Sequence, residues 1–134
     1  MNDLIGLIDE EEGLARQELG DVLGDGEGAQ GLKFADLAIL AFLGSQVVLP
    51  IVCSFVEQSL WERYKRIRTE KQAKAARAEL QDRAPREAVA ARDTVLGEII
   101  DGLTEEGVPA KDAARIAHQH YQRVQERIEA ATSA

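Results

Sequence analysis

The chain has 134 residues, a formal net charge of −8 and only 4% aromatic residues. This length leaves room for at most one small domain beside any membrane-length segment. The second half is rich in Ala, Glu, Arg and Leu, which disfavours a β-sandwich or barrel, so we predict an all-α fold without a sheet.

Residues 1–31 form an acidic, Gly-rich N-terminal segment. The first 36 residues carry ten acids and two bases, a net charge as large as that of the whole chain. An interrupted apolar stripe over residues 2–23 predicts a marginal helix, which is either a solvated tail or ordered against a partner protein. The glycines of residues 24–31 predict a flexible linker.

The run from Leu37 to Val56 contains no Asp, Glu, Lys or Arg, and fifteen of its twenty residues are apolar. A helix of this length spans about 30 Å, the thickness of the hydrocarbon core of a bilayer. The apolar residues fall on every side of the helix. We therefore predict a transmembrane helix over residues 34–58; the alternative is a buried helix that other helices surround.

The residues after this run fit a membrane boundary. Trp61 and Tyr64 come at the expected depth of the lipid headgroups, and a dense set of cations follows. Because cations favour the cytoplasmic side, we predict a single-pass protein with an outside N-terminus and a cytoplasmic C-terminus. The cations assigned to the interface are Arg63, Lys65, Arg66 and Arg68.

Two helical units are predicted beyond the run. Residues 57–83 contain no Gly or Pro, and acid-to-base pairs at four-residue spacing predict a continuous, exposed helix there; residues 59–84 are assigned as a basic stalk. Residues 85–134 follow Pro85 and carry two apolar stripes of period 3.6 separated by glycines and Pro109, which predicts a C-terminal helical hairpin.

The predicted span carries a stripe of polar or helix-weakening residues at three- or four-residue steps. A polar amide at mid-bilayer faces protein or water, so the stripe indicates either helix–helix contact or a pore lining. A proline within the stripe predicts a helix break. The residues are Gln46, Pro50, Ser54 and Glu57, with the small pair Ala41 and Ser45.

No arrangement of residues predicts a catalytic, cofactor-binding or metal site. His118 and His120 are two residues apart, so a helix points them in different directions and they cannot share one ion. His120 is on an apolar side, which favours a packed or pH-sensitive interface residue. Cys53 is predicted to be a small packing residue. The basic stretch lacks interleaved aromatics, so no nucleic-acid partner is expected.

These observations favour a non-catalytic membrane subunit over an enzyme. Its expected partners are the lipid bilayer and either further copies of the chain or another membrane protein, because the amphipathic stripes lack partners within the chain. One alternative is a homo-oligomeric pore lined by the polar stripe. A second is a soluble helical adaptor.

Overall fold

A computed structural model describes residues 4–24 and 33–132, and for Gly24 and residues 33–37 it describes the backbone alone. Within these ranges the chain forms six α-helices and no strand, which confirms the all-α prediction. The predicted linker over residues 24–31 lies outside the described residues, apart from Gly24. The helices are α1 (Leu4–Gly24), α2 (Lys33–Cys53), α3 (Gln58–Tyr64), α4 (Glu70–Leu80), α5 (Arg92–Glu105) and α6 (Ala110–Thr132).

Helix α2 is the centre of the bundle and contacts each of the other five helices. From Leu43 to Val56 every residue except the half-buried Ser45 is buried. A helix that is enclosed on all sides has no solvent-facing stripe, so its apolar residues are spread around its whole circumference. The part of the uncharged run from Leu43 to Val56 is therefore the core of a helical bundle.

The predicted transmembrane helix over residues 34–58 is wrong, and so is the single-pass membrane location with an outside N-terminus and a cytoplasmic C-terminus. Among the described residues, no helix combines the length and the apolarity that crossing a bilayer requires. The apolar side chains pack against neighbouring helices instead of lipid. The pore hypothesis depended on that span, so it loses its premise.

The end of α2 lies at Cys53 rather than at the break predicted at Pro50, which stays inside the helix. Beyond it, the backbone N–H groups of Arg86 and Val89 donate to the carbonyl oxygens of Phe55 and Ser54, at 2.8 and 2.7 Å. These bonds satisfy polar groups that a buried helix end leaves without partners. The segment before α5 thus closes the end of the core.

The stalk predicted as one exposed helix over residues 57–83 is two helices, α3 and α4. The hydroxyl of Thr69 accepts from the backbone N–H of Gln72 at 3.1 Å, and the Gln72 side chain accepts from the Thr69 N–H at 3.2 Å. This capping box starts α4 afresh after a turn. The turn allows α4 to bury Ala73, Ala76 and Leu80 against the bundle.

Helices α5 and α6 pack against each other and against α2. The turn between them contains Gly107, whose φ of +100° favours glycine, and the N–H of Val108 donates to the carbonyl of Leu103 at 3.0 Å. Their buried faces close one side of the core. The buried apolar residues are Val95, Leu96, Ile99 and Leu103 on α5, and Ala113, Ile116, Ala117, Tyr121, Val124 and Ile128 on α6.

Helix α1 lies along α2 and also contacts α4 and α6. Gly44 allows the close approach of α1 and α2, because a Cβ atom at this position would lie 3.2 Å from the Glu12 carbonyl oxygen and 3.1 Å from Arg16 Cγ. The acidic N-terminal segment is therefore part of the bundle from Leu4 to Gly24.

Candidate functional site

Gln46, from the predicted polar stripe, faces the interior of the bundle. Its Nε2 donates to the carbonyl oxygen of Ile67 at 3.0 Å, which ties α2 to the turn between α3 and α4. Its Oε1 is buried without a donor among the described residues, and it lies 3.5 Å from where a Cβ at Gly102 would be. Gly102 thus leaves room for this amide against α5.

The other stripe residues do not form one site with Gln46. Ala41 is exposed, and the Ser45 hydroxyl donates to its carbonyl oxygen at 3.3 Å. Pro50 and Ser54 are buried, and the Ser54 hydroxyl donates to the Ile51 carbonyl oxygen at 2.6 Å. Glu57 follows the end of α2 and forms an ion pair with Arg83.

The residues predicted at a membrane interface lie on α3 and in the turn between α3 and α4. Trp61 and Tyr64 are buried in the core, at 3% and 6% exposure. Arg63 pairs with Glu79 at 2.8 Å, Lys65 lies 3.7 Å from Glu62, and Arg66 pairs with Glu105 on α5. Arg68 is exposed, and its backbone N–H donates to Gln72 at 2.7 Å.

A group of buried charges between α1 and α6 is the most distinctive polar feature of the fold. His120 is fully buried, and its Nδ1 lies 3.0 Å from Glu11 Oε1 while its Nε2 lies 2.8 Å from Glu18 Oε1. Arg123 Nη2 lies 3.3 Å from Nδ1 and 3.4 Å from Nε2 of the same ring. Arg123 completes the group, which we call the ionic cluster: Glu11, Glu18, His120 and Arg123.

Arginines of α6 extend the ionic cluster toward solvent. Arg123 Nε donates to Glu11 Oε1 at 3.2 Å, and Arg127 lies 2.7 Å from Glu10 and 3.6 Å from Glu11. Burial by itself would raise the pKa of Glu11. The hydrogen bond from His120 and the charge of Arg123 outweigh that effect and hold the pKa below its ordinary value of 4.5.

A second set of charges joins α1 to α4. Arg77 on α4 donates to Glu12 Oε1 at 2.9 Å and also forms an ion pair with Asp9. Oε2 of Glu12 is buried and has no hydrogen-bond partner among the described residues. Burial raises the pKa of Glu12 above 4.5, and the nearby Ser45 and Arg16 offset this only in part.

The chemistry of this arrangement is attachment of α1 to the bundle. Glu11 and His120 are buried, so their polar atoms contact each other and their neighbours on α1 and α6. In the described part of the chain, no three His, Cys, Asp or Glu side chains are placed to hold a metal ion.

The sequence pattern contains a signal for this cluster that our prediction missed. Residues 4, 8, 11, 15 and 19 lie on one side of α1, and Glu11 is the charged residue among the buried Leu4, Ile8, Ala15 and Leu19. A carboxylate inside an apolar stripe requires a buried partner. The prediction that His120 is packed at an interface named the residue but not its carboxylate partners.

Comparison of the chain with protein-family models, with curated proteins and with solved structures finds no match. A proposal for the function of this chain therefore depends on the geometry of its fold alone.

Proposed function

We propose that this chain is a non-catalytic helical subunit that assembles with a second copy of itself. The observation that carries the proposal is the exposure of Ile39, at 46%, on the apolar central helix. Among the described side chains, the large apolar residues that are exposed are Leu14, Leu23 and Ile39, all on α1 and α2. Exposed apolar residues mark a protein interface where they form a contiguous patch.

The side chains of α2 that are described before Leu43 are less covered than those after it. Burial on α2 becomes continuous only from Leu43, whereas Ala38, Ile39 and Ala41 are exposed. The last turns of α1 lie alongside, because a Cβ at Gly20 would be 3.6 Å from Leu40 Cδ1. We call the exposed surface of Ala38, Ile39 and Leu23 the α2 tip.

Charge favours a second copy as the occupant of the α2 tip. The chain has a net charge of −8, which opposes association of two copies in general. The residues that define the α2 tip are uncharged, so the tip itself adds no like-charge contact. A two-fold contact of this type is the commonest form of homo-oligomer.

The test is the mass of the purified chain by light scattering over a range of concentrations. Ile39→Ser should weaken dimer formation about thirtyfold, because losing about 1 kcal/mol of apolar burial in each copy removes about 2 kcal/mol from a two-fold contact. Leu14→Ser is the matched control, since Leu14 is similarly exposed but nine residues from Leu23, on the opposite side of α1. A monomeric wild-type chain, or an Ile39→Ser dimer of unchanged affinity, would refute the proposal.

A further inference from the structure

A cavity lies where the start of α1, the segment before α5 and the end of α6 meet, and we call it the α6 cavity. Its volume is about 480 Å³, within the range of ~300–1,000 Å³ that small-molecule sites occupy. Leu4, Leu7 and Ile128 are buried, so part of the cavity wall belongs to the core of the bundle. The apolar lining residues are Leu4, Leu7, Ala84, Pro85, Ile128 and Ala131.

A second cavity continues the apolar surface along α6. Its volume is about 270 Å³, and Phe55 and Ala88 are among its apolar lining residues. Ile128 and Thr132 line both cavities, which therefore lie side by side at the end of α6. An extended chain fits this shape better than a compact molecule does.

Arg127 provides hydrogen-bond donors at the α6 cavity. Its ion pairs with Glu10 and Glu11, at 2.7 and 3.6 Å, both use Nη1. A guanidinium has five N–H donors, so Nη2 and Nε carry N–H groups for a further acceptor. The Thr132 hydroxyl is engaged, because it donates to the Ile128 carbonyl oxygen at 3.0 Å.

The charges around Arg127 favour a ligand without net charge. Glu10 and Glu11 share this guanidinium, so a ligand carboxylate placed there meets two negative charges. A ligand ammonium group meets the positive charge of Arg127. A neutral oxygen avoids both repulsions and still accepts a hydrogen bond from the guanidinium.

We propose that the α6 cavity binds a neutral amphiphile, an extended hydrocarbon chain that ends in an amide, ester or alcohol oxygen. The chain lies against Leu4, Leu7 and Ile128, and the oxygen accepts from Arg127. An apolar pocket with few polar groups that fix orientation is the usual form of a small-molecule site. The site is separate from the α2 tip, because Leu4 and Leu23 are near opposite ends of α1, about 28 Å apart along the helix.

The probe is octanamide, titrated into the full-length chain by isothermal calorimetry. We expect saturable binding of one molecule per chain with a Kd below about 1 mM. Octanoate and nonylammonium, which are similar in size but charged, should each bind about tenfold more weakly. Lack of saturable octanamide binding, or octanoate binding that is equal or tighter, would overturn the proposal.

Filling the α6 cavity should remove the binding of octanamide. Ala131 is exposed, so Ala131→Phe is compatible with folding and places a ring where the chain of the probe lies. Ala130→Phe is the matched control, since Ala130 is the exposed neighbour and does not line the cavity. Circular dichroism verifies that both variants are folded. Unchanged affinity of a folded Ala131→Phe chain, or an equal loss in Ala130→Phe, contradicts the assignment to this cavity.

Arg127→Met tests the role of the guanidinium by a change in ligand preference. Octanamide should lose about tenfold in affinity because its donor is removed. Nonylammonium should gain affinity, because Glu10 and Glu11 remain while the opposing cation is gone. Arg115→Met, an exposed position near the other end of α6, should change neither. A parallel loss for both probes in Arg127→Met would mean structural damage alone and would count against the proposal.

The Ile39→Ser variant separates this site from the α2 tip. Its affinity for octanamide should equal that of the wild-type chain, whatever its effect on dimer formation. Loss of octanamide binding in Ile39→Ser would place the probe on the α2 tip and refute the assignment to the α6 cavity.

Discussion

Replacement of His120 by leucine tests whether the ionic cluster holds α1 on α6. The substitution removes two charge-assisted hydrogen bonds, at 3.0 and 2.8 Å, each of which contributes about 1.5–3 kcal/mol. Part of this is recovered, because Glu11 keeps Arg123 at 3.2 Å and Glu18 is 22% exposed to water. We expect a loss of about 2–4 kcal/mol, a large share of the 5–15 kcal/mol typical of a small domain.

The assay is urea unfolding at pH 7 followed by far-UV circular dichroism, with linear extrapolation to water. His118→Leu is the matched control, because His118 is on the same helix but exposed, and its change should stay within about 0.5 kcal/mol.

A double-mutant cycle separates the pair from general effects of substitution. Glu11→Leu alone leaves His120 short of one hydrogen-bond partner, whereas Glu11→Leu with His120→Leu removes both partners together. The double variant should be more stable than the sum of the single losses by about 2 kcal/mol, because each single change leaves a buried polar group short of a hydrogen bond and the double change does not. Additivity within about 0.5 kcal/mol would refute the reasoning.

Further predictions concern packing, pH dependence and thiol reactivity. Gly44→Ala should cost about 1–3 kcal/mol by urea unfolding because it separates α1 from α2, whereas Gly97→Ala, with no atom within 4 Å, should stabilise by about 0.5–1 kcal/mol. Since the pKa of folded Glu11 lies below 4.5, its stabilisation is complete above that pH and is lost as the pH falls through the lower value; Glu11→Gln should remove that part of the pH dependence. The pKa of Glu12 is raised, so its ionisation opposes folding once the pH exceeds 4.5, and Glu12→Gln should gain stability at pH 7 relative to pH 4; an equal effect at both would contradict this. Burial raises the pKa of the Cys53 thiol to about 12, so an aromatic disulfide reagent at pH 8 should react no faster than the chain unfolds.

The sequence predicts an all-helical chain, but it does not determine whether α2 is surrounded by lipid or by other helices. All-round apolarity between Leu37 and Val56 fits a helix in lipid and a helix enclosed by others equally well. What distinguishes them is whether stripes on other helices face it, and that depends on contacts far apart in the chain. The residues Trp61 and Tyr64 resembled a membrane boundary, yet they are buried against the core.

The break between α3 and α4 could have been predicted. The sequence Thr69-Glu70-Lys71-Gln72 has the spacing of a capping box, which marks the start of a helix. The absence of glycine and proline over residues 57–83 instead favours one continuous helix, which is the prediction that the structure contradicts. A capping box can mark the boundary between two helices where neither glycine nor proline is present.

The ionic cluster could be predicted only in part. Glu11 within an apolar stripe and His120 on the apolar side of α6 each require a buried partner. They are 109 positions apart, and no local pattern joins residues at that separation. Pairing them requires knowledge that α1 lies against α6, which the separate amphipathic stripes do not specify.

Hydrogen exchange by mass spectrometry on the full-length chain tests most directly whether α2 is the enclosed centre of the bundle. The account predicts that backbone amides between Leu43 and Cys53 exchange only when the whole chain unfolds, and that those of α1 exchange earlier through local opening. Exchange of the α2 amides that is as fast as that of α1, or faster, would contradict it.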